Sequence, residues 1–332
     1  MPFNFLNDLA NGLRFALPDT IQEIYTSNVG MAQRFPAQPA EQSSGVLNVV
    51  EYDIGTAQTY AVGAGFGAAT SPRDDNGNVG WAGYATAIEI PLQAVEQAEH
   101  AGTRGLDLLV TRYQRKMQDK IRSLLQLMSG HILTGAGVAA REFEGMATFQ
   151  VQDAAGANVA GGINRTLFPQ WACTIYDNAA APRDITTAII EDCLIDHQMT
   201  TLGVDGDYDW SGWEIWAGQV QAGRLGAIDL GSHVQVTQSG RKILGSTGVE
   251  IAAGSGAPIP VVRVAWPAGA VAVVNTRALR RHSLELGNAK PEFSILDARP
   301  AGSDLYRFDI VCHQQIQFEN PRHNGFQITD LA

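Results

Sequence analysis

Hydrophobic and polar positions change period along the chain. Residues 81–92, WAGYATAIEIPL, alternate with a period of two, which sets Tyr84, Thr86, Ile88, Ile90 and Leu92 on one face and Trp81, Gly83, Ala85, Ala87 and Glu89 on the other. Upstream, YDIGTAQTYAVGAGF alternates too, with Tyr52, Ile54, Thr56, Gln58, Tyr60, Val62 and Phe66 in phase. The run between them, GAATSPRDDNGNVG, is rich in Gly, Pro, Asp and Asn and reads as a loop tip. Together the three stretches predict a β-ribbon with arms of about 40 Å. An isolated two-stranded ribbon is marginal in water, so one face must find something to pack against.

The period then becomes helical. Leu109, Val110, Tyr113, Met117, Ile121, Leu124, Met128 and Ile132 recur at three and four, with charges on the far side. From Leu106 this helix runs for about 28 residues, roughly 42 Å, with Thr103 as the expected N-cap and Gly135 and Gly137 as its stop. Residues 1–50 hold short apolar patches interrupted by Pro18, Pro36 and Pro39 and read as an extended arm with little helix, ordered only where something holds it. After the long helix, EGMATFQV and GGINRTLFPQWAC read as strands and loops. A second helical pattern follows at DITTAIIEDCLIDHQMTTLG, with Asp184 as its cap, and a short one at QVQAGRLGAID. Strand patterns at WEIWAG, IPVVRVAW, AVAVVN and DLYRFDIVCHQQIQFEN complete the chain. Strands and helices in this mixed order predict an α+β fold.

Composition sharpens the picture. Charged residues make up 17% of the chain, below the usual quarter, and glycine, 35 of 332 residues, exceeds its usual share of about 7%. Such a chain is short of solvated surface, as suits a protein whose faces are covered by partners, although a Gly-rich β-protein would look similar. The net charge of −11 argues against a nucleic-acid wrapper or a membrane-surface binder. Residues 103–132 run the other way: Arg104, Arg112, Arg115, Lys116, Lys120 and Arg122 stand against Asp107 and Asp119, a net +4. This is either a solvated face or a docking face for acidic neighbours. Cys173, Cys193 and Cys312 are odd in number and widely spaced, so reduced thiols are expected in place of a disulfide framework or a zinc knuckle. The first twenty residues lack a signal-peptide pattern, and no stretch approaches 18 uninterrupted apolar residues.

Motifs for catalysis or cofactors are lacking. There is no GxxxxGK[ST], and GAGFGAA at 63–69 misses the dinucleotide spacing. DGDYDW begins like a calcium loop with Asp205, Asp207 and Asp209, but Trp210 stands where the required Gly should be and Trp216 where the bidentate Glu should be. The histidines never pair at i, i+4, and Cys312 and His313, as adjacent strand residues, point to opposite faces and make a poor dyad. No catalytic residue, metal or cofactor is expected.

An arm, a ribbon ending in WAGYATAIEIPLQAVEQAEHAG, the helix DLLVTRYQRKMQDKIRSLLQLMSGHIL, then EGMATF, GGINRTLFPQW, GAPIPVVRVAWPAGAVAVVNTRAL and QQIQFENPRHNGFQITDL form a series. It resembles the major capsid proteins of tailed bacteriophages, the Hong Kong 97 type fold, over nearly the whole chain. The strongest local matches are GGINRTLFPQW and the Pro-Val-Val strand followed by PAGAVAVVN. The resemblance implies an N-arm at 1–50, an E-loop hairpin at 51–95, a peripheral domain with the spine helix at 96–145, a mainly axial domain at 146–300 and a return to the peripheral domain at 301–332.

It further implies a self-assembling structural protein, arranged as hexamers and pentamers in an icosahedral virion capsid. That shell would enclose double-stranded DNA without reading its sequence, be built in the host bacterial cytoplasm, carry a portal protein and have no membrane partner. On this reading the ribbon lies over a neighbouring subunit. Tyr60, Phe66, Trp81, Tyr84 and Ile88 become candidate anchors, since large aromatics dominate such contacts, with Arg112, Arg115 and Lys116 as candidate charged contacts. Some relatives join a ribbon Lys to a neighbour's Asn, but residues 51–96 contain no Lys, so no such cross-link is expected and decoration proteins could supply stability instead. Some carry a long N-terminal scaffolding domain; with an arm of only residues 1–50, scaffolding is expected from a separate protein. A bacterial compartment shell of the encapsulin kind shares the fold, and a soluble α+β enzyme with a scattered site is the alternative from another class.

Overall fold

The computed structural model describes residues 8–14, 17, 30–40, 44–51, 74–137, 140–150, 159–204, 208–229, 246–251, 258–284, 292–298 and 304–332. In chain order its strands are β1 (Ala37–Pro39), β2 (Val46–Glu51), β3 (Asp74–Val79), β4 (Ala82–Pro91), β5 (Val159–Ala160), β6 (Ile163–Asn164), β7 (Thr174–Tyr176) and β8 (Trp213–Ala217). They continue with β9 (Ser246–Ile251), β10 (Ile259–Arg263), β11 (Val271–Asn275), β12 (Leu279–Ser283), β13 (Ser294–Ala298), β14 (Leu305–Phe318) and β15 (Gly325–Ile328). The principal helices are α1 (Met31–Arg34), α2 (Leu92–His100), α3 (Thr103–Thr134), α4 (Met146–Gln150), α5 (Thr187–Asp196) and α6 (Gln219–Asp229). The chain forms two units, one drawn from Met1–Ser43, Gly80–Gly145 and Arg280–Ile316, the other from Ser44–Val79, Met146–Leu279 and Gln317–Ala332.

The first unit is built on α3, whose 32 residues span about 48 Å. Leu109, Tyr113, Met117, Ile121, Leu124, Met128 and Ile132 are buried, as the periodicity requires, while Val110 is half-buried. Thr103 is the first helical residue and not the cap; the cap position belongs to Gly102, at φ 64°, where a side chain would be strained. Gly105 lets α3 approach α2 closely, since a Cβ there would meet the Ala98 carbonyl oxygen at 2.1 Å.

Across α3 lies β4, with Ala82, Tyr84, Ile88 and Ile90 buried. The partner of β4 is β14, in an antiparallel ladder from Ala82↔Gln314 to Pro91↔Leu305, where Cys312, Ile310 and Phe308 share its inward face. The second half of the expected ribbon therefore packs within its own unit. Burial of Ile88 and Ile90 contributes about 1.5–3 kcal/mol each. The sheet is completed by β13 on β14, by β12, and by β1 parallel to β12.

The arm is less extended than expected: residues 8–14 and Met31–Arg34 are helical. Ala32 N–H donates to Ser129 Oγ at 3.0 Å, and the Phe35 carbonyl accepts from Arg281 Nε at 2.7 Å. Arg281 is fully buried and paired with Glu292, and Gln314 closes the network with bonds of 2.6 and 2.8 Å.

The second unit holds a six-stranded sheet in the order β7-β15-β11-β8-β10-β9. One face forms a core with α5 and α6 through Ile190, Leu194, Ala222, Leu225, Trp213, Ile215, Val261, Val273 and Phe326. The cap of α5 is Thr186, whose side chain accepts from Ile189 N–H, and not Asp184 two residues earlier. Residues 146–150, read as extended, form α4. The chain end also departs from expectation: β15 pairs with β11 and β7, so Gln317–Ala332 joins the second unit and the return to the first ends at Ile316.

The ribbon is re-registered. Its described stem is β2 against β3, Val46↔Val79 through Glu51↔Asp74, so DDNGNV is a strand and not a loop tip. Val46 and Val79 are buried, and buried Asn48 donates to the Gly161 carbonyl at 2.9 Å. A Cβ at Gly77 would lie 2.3 Å from the Gly161 oxygen. A sequence poor in β-formers is strand here because Gly77 is what lets it lie on the β5–β6 hairpin. That hairpin is itself anchored by Trp171 Nε1–H to the Ala160 carbonyl at 2.8 Å.

Candidate assembly surface

In the first unit, β4 and the outer side of α3 flank a cleft of about 490 Å³ lined by Ala87, Ile88, Glu89, Lys116, Asp119 and Lys120. The helical period places Lys116 and Lys120 one turn apart on the same side, opposite the buried Met117 and Ile121. Arg112 and Arg115 are exposed on the same helix. Glu89 is exposed and stands opposite Arg307 in the β4–β14 ladder, but the Arg307 guanidinium is bonded to Asp309 at 2.6 Å; Asp119 lies 3.6 Å from Arg122. The Lys116 ammonium rests 4.5 Å from the centre of the Tyr113 ring, a cation–π contact, and burial pushes the Tyr113 phenol above its usual pKa. Among the described residues, Lys116 and Lys120 have no carboxylate within ion-pair distance.

Of the expected anchors, Tyr60 and Phe66 lie outside the described residues. Trp81 is half-buried at the start of β4. Tyr84 is buried within its own unit, which corrects its assignment as an outward anchor. Its oxygen accepts from Phe143 N–H at 3.1 Å, which leaves its hydroxyl proton to donate to His131 Nδ1 at 3.0 Å. His131 Nε2 lies 3.6 Å from Glu142 Oε1. Burial raises the Tyr84 pKa, so the phenol stays protonated as this network requires. Ile88 is likewise buried, 2% exposed, and contributes only to the cleft lining. The structure thus brings Ile88 and Lys116 together and adds Lys120 and Glu89. The lysine spacing could have revealed Lys120; nothing local reveals Glu89, whose place follows from strand pairing.

Cys312 is buried and His313 exposed on opposite faces of β14. Trp210 is a core residue that meets Trp213 edge to face, ring centres 5.0 Å apart, while Asp205 and Asp207 lie outside the described residues. Among the described residues no group of His, Cys, Asp and Glu could hold a metal ion, and no helix is long and apolar enough to cross a membrane.

A unit built on one long helix under a β-sheet, a six-stranded unit flanked by helices, and a ribbon that among the described residues joins neither sheet make up the Hong Kong 97 type α+β capsid fold. No family model and no curated protein matches the sequence. Among solved structures, the chain is similar to one from the Cyanophage A-1(L) capsid asymmetric unit. The two are 14% identical over 92% of this chain and 94% of that one, with a TM-score of 0.62. It is also similar to the capsid of the native GTA particle, 13% identical over 91% and 90% with a TM-score of 0.58, and to that of the empty GTA particle, 11% identical over 91% and 90% with a TM-score of 0.57.

Proposed function

We propose that this chain is a major capsid protein, many copies of which build a closed icosahedral shell around double-stranded DNA without catalysing a reaction. The observation that carries the reading is end-to-end likeness to capsid chains. The fold accounts for more than nine-tenths of this chain and of the Cyanophage A-1(L) chain alike. The unit built on α3 serves as the peripheral domain, with α3 as spine helix, and the six-stranded unit as the axial domain. Hexamers and pentamers of the chain, a portal protein and a separate scaffold complete the particle, which assembles in the host cytoplasm.

The negative net charge suits a container, since a lining that bound packaged DNA tightly would hinder its entry and release. The test is to express the chain, alone and with the adjoining genes of its genome, and to image the sedimented material by electron microscopy. Closed particles are expected. A chain that stays monomeric in both settings refutes the reading, and particles that enclose an enzyme instead of DNA would make it a compartment shell.

A further inference from the structure

We infer that the exposed arginine line of α3 holds the phosphate backbone of the enclosed double-stranded DNA, so that this face of the helix lines the shell; the inference rests on the shell reading. Arg104, Arg112 and Arg115 are all exposed. At 3.6 residues per turn they fall within an arc of about 80° opposite the buried Met117, and at 1.5 Å per residue they span about 16 Å. Among the described residues no carboxylate lies within ion-pair distance of any of the three. Arg112 stands over the Tyr113 ring at 6.0 Å, a contact with the ring face that leaves its N–H groups to donate elsewhere. Asp107 sits to one side of the line, and Asp119, one turn past Arg115, is 3.6 Å from Arg122.

The chemistry of the line fits phosphate. A guanidinium fork matches two oxygens of one phosphate, and it is less tightly hydrated than an ammonium. One continuous helix sets its charges at fixed spacing, and duplex DNA offers a phosphate charge every 1.7 Å or so, so about 16 Å of helix meets about nine of them. Contacts of this kind position a duplex without reading its sequence. The net charge of −11 opposes the contact from the rest of the chain and keeps it weak. A weak hold suits a container, because the DNA must slide as it enters and leaves.

The test is fluorescence anisotropy of a labelled duplex with the full chain in its unassembled form, beside sedimentation and electron microscopy of the same preparation. With three phosphates neutralised, log affinity falls with log salt at a slope of about −2.7, so tripling the salt should weaken binding about twentyfold. The variant Arg112→Gln, Arg115→Gln should reduce that slope by about 2 and lower the affinity at low salt by about tenfold or more. Both side chains are exposed, so its unfolding midpoint and its particles should match the parent's. A control, Arg141→Gln with Arg263→Gln, removes two exposed cations elsewhere and should bind as the parent does. Equal losses in the two variants would reduce the effect to net charge and overturn the inference. So would equally tight binding of polyglutamate, which would assign the line to an acidic protein, and so would loss of particles in the first variant, which would assign it to a contact between copies. Particles without duplex binding overturn the inference and leave the shell reading standing. Duplex binding by a chain that never forms particles, alone or with its adjoining genes, removes the shell reading and the enclosed ligand with it.

Discussion

Acid should loosen the second unit through one histidine. His197 opens the π-helix His197–Leu202 that continues α5, and its ring is fully buried, 4.8 Å from the Phe326 ring and 5.9 Å from that of Trp213. Burial lowers its pKa from 6.5 to about 4. The backbone at His323 offsets part of this without hydrogen-bond geometry to either ring nitrogen; Asp196 opposes the shift, and His323 and Arg322 add to it. Because the folded pKa lies below the unfolded one, the unfolded chain takes up a proton first as pH falls. Stability is therefore full above pH 6.5 and is lost progressively between 6.5 and 4. A shift of about 2.5 units at 1.36 kcal/mol per unit is about 3 kcal/mol in all, of which about 2 kcal/mol falls between pH 7 and 5. The exposure of His323, whose pKa is also lowered by burial, adds in the same direction. The assay is urea unfolding at fixed ionic strength and several pH values, followed by tryptophan fluorescence, since five of the six tryptophans lie in this unit. His197→Phe keeps an aromatic ring between Phe326 and Trp213 and should flatten the pH dependence between 7 and 5 while leaving that of the carboxylates below pH 4.5. Equal slopes for the two proteins across pH 7 to 5 would refute the reasoning.

Three further outcomes are expected. Glu292→Gln leaves the buried Arg281 charge without its carboxylate and should cost about 3–5 kcal/mol; because Arg281 also holds Phe35, amide exchange at Ala37 and Gln38 should accelerate more than in the second unit. Gly77→Ala forces a Cβ against the Gly161 carbonyl and should destabilise by about 1–3 kcal/mol, with faster exchange along β2 and β3 than along β8. Tyr84→Phe strips Phe143 N–H of its acceptor and should lower stability by about 1–3 kcal/mol in chemical denaturation, without the change in salt-dependent assembly expected for a surface contact.

What was legible in the sequence follows how local each determinant is. The stripe from Leu109 to Ile132 recurs within one turn, so α3 could be read directly; only its cap was misplaced, because Gly102 in the left-handed region leaves no side-chain signature. The two faces of β4 were legible for the same reason, its alternation being a property of ten consecutive residues. Its partner was not. Two alternating runs close in sequence look like a hairpin, yet β4 pairs with residues 305–314, more than 200 positions away, and nothing in either strand names the other. The strand β3 was hidden more deeply, since Asp, Asn and Gly signal a turn, and it is the ladder with β2 and the close approach of Gly77 to Gly161 that hold them extended. Tyr84 and Ile88, taken as outward anchors, are buried because the face assigned to a neighbouring subunit belongs to α3.

The basic face was legible as composition, but its chemistry was not. Arg112, Arg115 and Lys116 stand out as a charge run, whereas the cleft depends on Glu89 arriving from a strand to set two carboxylates beside Lys116 and Lys120. An exposed ion pair returns only about 0–1 kcal/mol, so pairing at such a face adds orientation more than stability.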